Sequence, residues 1–184
     1  MNLPPPAALP LSTPPDTTAQ RLAYAGLLPL VGGALLVWAV HDEVQAYVAL
    51  ALSAYAAVVL SFLGGIHWGF AMRQPLLYAQ AQTQTQPQLQ SQPQPQPQSE
   101  PQIQPPPRQA TALLVWGVVP SLVAWPAALM PPRGGLVILG VMLVVCYAVD
   151  RRLYPAQGAA AWLTLRFRLS AVAALSCFLG AAGT

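Results

Sequence analysis

The chain has 184 residues, of which 55% are hydrophobic and 7% charged, and all eight of its basic residues are arginines. A soluble globule carries about 25% charged residues, so there is too little polar surface here to cover one. The net charge of +3 does not indicate nucleic acid, because the arginines are spread along the chain rather than gathered into one solvated patch.

Residues 1–20 are rich in proline and hold Asp16 but no arginine, which suits a disordered tail and not a mitochondrial presequence. Five apolar stretches follow, at residues 22–40, 44–72, 110–130, 135–149 and 169–183. About 20 apolar residues cross a hydrocarbon layer of about 30 Å, so the sequence predicts an all-α, multi-pass bundle of five spans. The first is a retained helix rather than a cleaved signal, since only Arg21 precedes it and no small-x-small cleavage site follows. The last two are short and need Arg151, Arg152, Arg166 and Arg168 to snorkel toward the interface.

A first hairpin is expected over residues 21–73. Its outer turn holds His41-Asp42-Glu43; Asp42 with Gln45 matches a helix N-cap, and one histidine beside two adjacent acids is poor metal-ligand geometry. In the second span Ala49, Ser53, Ala57, Ser61, Gly65 and Gly69 recur every fourth residue, a stripe of small side chains that predicts close packing of a neighbouring helix, Ser61, Gly65 and Gly69 included. His67 lies about 200° around the helix from Gly65, at roughly 100° per residue, on the side of Leu60, Leu63 and Phe70. An imidazole in apolar sequence is costly unless it is paired.

Residues 74–109 contain a two-residue repeat in which every even position from 80 to 104 is glutamine except Glu100. With many prolines and no apolar face, this segment is expected to be a disordered cytoplasmic loop. A second hairpin at residues 110–154 weakly repeats the first, with Gly117-Val118-Val119-Pro120 matching Gly26-Leu27-Leu28-Pro29 and each proline kinking its helix. It ends in Asp150-Arg151-Arg152-Leu153-Tyr154. An acid at a helix C-terminus opposes the macrodipole and wants a cation; Arg166 or Arg168, on nearly opposite sides of the last helix, can supply it. Trp68, Trp116, Tyr154 and Trp162 fall at similar depth, as in an aromatic belt. Residues 155–184 form an interfacial lead-in and the fifth span. Cys146 and Cys177 lie within spans and are expected to be free, packed thiols.

With the N-terminus in the cytoplasm, seven arginines fall on the cytoplasmic side and only Arg133 on the other, which predicts N-terminus in and C-terminus out. No nucleotide loop, nucleophile elbow or zinc signature occurs, so no cofactor is expected.

Three ordered motifs carry a resemblance to a known family: Phe-Leu-Gly-Gly-x-His-Trp-Gly at Phe62 to Gly69, Pro-Ser-Leu-x-Ala-Trp at Pro120 to Trp125, and Asp-Arg-Arg-Leu-Tyr at Asp150 to Tyr154. Over roughly residues 21–182 the chain resembles the DUF family numbered 3429, which includes the transmembrane protein 69-like proteins. The glutamine-rich insertion is its main departure. The resemblance implies a five-helix membrane domain and no established activity.

The expected role is a non-enzymatic structural or assembly component of a bacterial cytoplasmic (inner) membrane, the mitochondrial inner membrane being the alternative. The expected partners are the lipid bilayer and other membrane proteins, not nucleic acid. This rests on the absence of a second intramembrane ionisable residue to form a relay with His67. The rival is a small carrier or lipid- or quinone-handling protein whose binding residues come from His67, Trp68, Asp150, Arg151, Arg152, Arg166 and Arg168 at the cytoplasmic mouth.

Overall fold

The computed structural model describes the backbone of residues 14–89 and 107–184, and the side chains of residues 14–73 and 110–184. Among these the chain is entirely helical: α1 (Thr17–Ala25), α2 (Leu28–Ala39), α3 (Asp42–Leu89), α4 (Pro107–Leu129), α5 (Pro132–Ala156), a 3-10 turn (Ala160–Trp162) and α6 (Leu163–Ala182). Five segments are long and apolar enough to cross a membrane: Thr17–Ala39, Asp42–Arg73, Ala110–Leu129, Pro132–Ala156 and Ala160–Ala182.

The first span is two helices. Asp16 caps α1 by accepting a hydrogen bond from the Thr18 amide at 3.3 Å. Helix α1 then ends at Gly26 and Leu27, because Pro29 lacks the amide a continuing helix needs but fits the first turn of α2. The break exposes backbone, and the Tyr55 hydroxyl donates to the Gly26 carbonyl at 2.9 Å. Pro120, by contrast, sits inside an unbroken α4, so the two hairpins are not conformational copies.

Helices α3 and α4 lie against each other, as do α5 and α6, while α2 closes the bundle against α3 and α6. The core is formed by Leu30, Val37, Leu60, Leu136, Leu139 and Leu143, all fully buried. Outside, Leu22, Phe62, Trp125 and Leu129 are each at least 70% exposed. An apolar exterior around a closed core is the arrangement that lipid, not water, favours.

The close helix crossing is not where the small-residue stripe put it. A side chain at Gly64 would overlap the carbonyl oxygen of Gly117, and one at Gly117 would overlap the Trp68 indole, whereas Gly65 and Gly69 have nothing within 4 Å. Ser61, Gly65 and Gly69 are exposed, and the packed face of α3 runs through Ala49, Leu52, Ser53, Ala56, Leu60, Leu63, Gly64 and His67. A strict four-residue repeat drifts about 40° per step at 100° per residue, which carries the stripe off the packed face by Ser61.

Other boundaries also differ. Helix α3 continues past Arg73 to Leu89, so the backbone is helical where the loop was expected to begin; alanine and glutamine are good helix formers, and composition alone hid this. Residues 107–109, the end of that expected loop, already belong to α4, while residues 90–106 and residues 1–13 of the tail lie outside the described residues, and α1 begins at Thr17. Gln45 does not complete a cap with Asp42. Its amide instead donates to the carbonyls of Val37 at 3.1 Å and Gly183 at 2.9 Å, tying the ends of α2 and α6 together. Between α5 and α6 the chain reverses at Gly158, whose φ of +71° is the left-handed conformation that glycine alone adopts freely. Cys146 and Cys177 are free and buried.

Candidate functional site

Helices α3, α5 and α6 each bring one ionisable side chain to a common point. On α5 the residues Leu139, Leu143, Cys146, Asp150 and Tyr154 are buried, spaced three and four apart along one face, so the face that packs the core delivers Asp150 into it. On α6 Leu165, Arg166, Ser170, Ala173, Ala174 and Cys177 are buried in the same way. His67 continues the buried line of Leu60 and Leu63 on α3.

Asp150 is 0% exposed, His67 1% and Arg166 7%. The Arg166 Nε donates to Asp150 Oδ2 at 2.6 Å. His67 Nε2 lies 3.0 Å from Asp150 Oδ1, although the approach is too bent to count as an aligned hydrogen bond and both atoms are otherwise without a partner. One carboxylate thus faces a guanidinium on one side and an imidazole on the other. A buried charge is tolerated only when it is paired, and this pairing explains how three ionisable groups remain in an apolar bundle.

Aromatic rings wall the cluster on one side. Phe70 packs edge-on against His67, with centroids 6.3 Å apart, and against Tyr154 at 5.3 Å. The Arg73 guanidinium sits 6.0 Å above the Phe70 ring and donates to the Gln157 carbonyl at 3.0 Å, fastening α3 to the end of α5.

The sequence-predicted residues therefore separate into two groups. His67, Asp150 and Arg166 meet. Arg151, Arg152 and Arg168 are exposed on the outside of the bundle, and Trp68 turns away to donate from its indole to the Leu114 carbonyl at 3.1 Å. Tyr154 is buried at 4% exposure and does not belong to an aromatic belt. The expectation that His67 has no ionisable neighbour within the spans is corrected: Asp150 is that neighbour, hidden in the sequence because it stands next to two arginines that mark the span's end.

Beside the cluster lies a cavity of about 550 Å³ between α1 and its link to α2, α3, α5 and α6. Its wall is largely apolar, with Leu22, Tyr55, Phe62, Leu63 and Leu169 among the lining residues, and Arg166 and Ser170 among the polar ones. Arg166 Nη2 and Ser170 Oγ are both buried and have no hydrogen-bond partner. Sequence reasoning missed Ser170, although its position one turn after Arg166 places it on the same helix face.

The fold and this cluster define a multi-pass helical membrane protein with a buried, ion-paired polar site. The chain belongs to the family described as "Protein of unknown function (DUF3429)", whose model matches residues 15–182 and so takes in His67, Asp150 and Arg166. It is also similar to transmembrane protein 69 of Xenopus tropicalis, 48% identical over 54 residues that make up 29% of this chain and 21% of that relative. The match thus spans about a fifth of the length of that curated relative. No solved structure matches the chain.

Proposed function

We propose that this protein is a non-enzymatic, lipid- or quinone-handling protein of the membrane that holds one amphiphile in the cavity beside Arg166. The observation that carries this is the conjunction of a chain-sized, largely apolar cavity with two polar residues, Arg166 and Ser170, among those that line it. A volume of about 550 Å³ lies inside the range of roughly 300–1,000 Å³ typical of ligand cavities. Ligand sites of this kind are mostly apolar with a few placed polar groups that fix orientation. A purely structural role accounts for the closed core of the bundle but gives no reason for an open cavity next to a balanced charge cluster.

The arginine distribution supports an orientation with the N-terminus and the α3–α4 connection in the cytoplasm, and a bacterial cytoplasmic membrane is the setting we favour. Native mass spectrometry of the purified chain tests the reading. One amphiphile per chain is expected to co-purify, and Val59→Trp, which fills the cavity wall, is expected to abolish it without unfolding the protein. A wild-type chain that carries no amphiphile and takes up none from added membrane lipid would refute the proposal.

A further inference from the structure

The cavity is not equally enclosed on all sides. None of the lining residues on α5 and α6 is exposed, and Leu143 and Ala173 are closed off at 0% and 2% exposure. Four lining residues are exposed: Leu22 and Gly26 at the end of α1, and Val58 and Phe62 on α3. Within each pair the residues are four positions apart and share one helix face. The two rows flank the open side of the cavity, a slot between α1 and α3.

Depth decides what stands outside this slot. Val58 and Phe62 precede Arg73, the end of the Asp42–Arg73 span, by about 22 and 16 Å at roughly 1.5 Å per residue. With a hydrocarbon layer about 30 Å thick, the slot opens on lipid chains, away from water and headgroups. A charged head is costly at that depth, whereas a chain passing from the bilayer into an apolar cavity exchanges one apolar environment for another.

One side of the slot is lightly held. Helix α1 has no buried residue, packs against α6, and is cut off from α2 by the turn at Gly26 and Leu27 that precedes Pro29. Few buried contacts and a break in the helix are the marks of a segment that opens locally. At that break the Tyr55 hydroxyl donates to the Gly26 carbonyl at 2.9 Å and ties the hinge end of α1 to α3.

We infer that the slot is a lateral portal through which an acyl chain of a bilayer phospholipid enters the cavity, with α1 as the side that moves and Tyr55 as its latch. The inference rests on the proposed amphiphile-holding reading and adds to it the route of entry and the part of the ligand that travels it. A chain that has entered reaches Leu143 and Ala173, which lipid around the closed bundle cannot touch.

The test uses the full chain in vesicles of phosphatidylethanolamine and phosphatidylglycerol, with a trace of phosphatidylethanolamine that carries a diazirine near the methyl end of one acyl chain. After illumination, labelled residues are mapped by mass spectrometry as a function of time. Labelling of Leu143 or Ala173 is expected, alongside that of the outward-facing Phe167 and Leu175. Val58→Trp and Leu22→Trp, which narrow the slot from opposite sides, are each expected to slow labelling of the buried residues severalfold and to leave that of Phe167 and Leu175 unchanged, which also reports that the variants are folded. Tyr55→Phe is expected to speed it by about twofold to tenfold, as for the loss of one hydrogen bond. Labelling confined to exposed residues overturns the portal, as does an unchanged rate in both tryptophan variants, and an unchanged rate in Tyr55→Phe overturns the latch. The broader reading survives each of these results as long as an amphiphile co-purifies with the wild type and is lost in Val59→Trp. Should no amphiphile co-purify and the buried residues stay unlabelled, both fail.

Discussion

Arg166 reaches Asp150 across the α5–α6 hairpin with a 2.6 Å charge-assisted hydrogen bond, and both side chains are withdrawn from the outside of the bundle. Removing one member leaves the other as an unpaired buried charge. Asp150→Ala is therefore expected to destabilise the protein by about 3–5 kcal/mol, and the double variant Asp150→Asn with Arg166→Gln by clearly less than the sum of its singles. Reversible unfolding in mixed micelles checks this; additive losses would show that the two groups do not act as a pair.

At the α3–α4 crossing, neighbouring glycines should behave in opposite ways. Gly64→Ala drives a methyl into the Gly117 carbonyl and is expected to cost about 1–3 kcal/mol as overpacking. Gly65→Ala meets nothing within 4 Å and is expected to stay within about 0.5 kcal/mol of the wild type. The same unfolding assay ranks them, and equal effects would place the crossing elsewhere.

Near the N-terminus, the amide of Thr18 and the hydroxyl of Thr17 hold the Asp16 carboxylate below its usual range. A group whose folded pKa is depressed adds stability above its unfolded value of 3.8, and that stability is lost as the pH falls through the lower, folded value. The first turn of α1 should fray on acidification below about pH 4, with Asp16→Asn blunting the dependence. Amide hydrogen exchange at residues 18–20, followed against pH, reports it directly.

If all five apolar segments cross, Asp16 and Ala182 are expected on opposite sides of the membrane. A reporter fused after Thr184 is expected to read as non-cytoplasmic, and a cysteine introduced at residue 95 to be labelled only from the cytoplasmic side. Labelling of both sites from the same side would contradict the orientation that the arginines indicate.

How much of this was legible beforehand depended on which physical signal each residue carried. The five spans follow from hydropathy, since a bilayer imposes a length that sequence displays openly. His67 stood out because an ionisable group is costly in apolar surroundings, whereas Asp150 was marked only as an acid at a helix C-terminus in want of a cation, with Arg166 and Arg168 equal candidates to supply it. The neighbours themselves were harder. Gly64 and Gly65 are chemically identical in sequence, and only the helix phase relative to α4 separates the packed one from the lipid-facing one. The cavity had no signature at all, because it is bounded by four separate helices and its lining residues Tyr55, Phe62 and Leu169 look like any others in a membrane span.

The separation of the three clustered groups along the chain has a consequence for biogenesis. Asp150 and Arg166 are 16 residues apart, on helices joined by one tight reversal, so they can meet while α5 and α6 enter the bilayer as a hairpin and sink into the apolar layer as a pair. His67 lies far upstream and arrives with α3, before either partner is made. The cluster closes only when the last helix docks. A chain truncated before α6 would instead present the Asp150 carboxylate without its arginine, a chemical label by which membrane proteolysis could tell an unfinished molecule from a finished one.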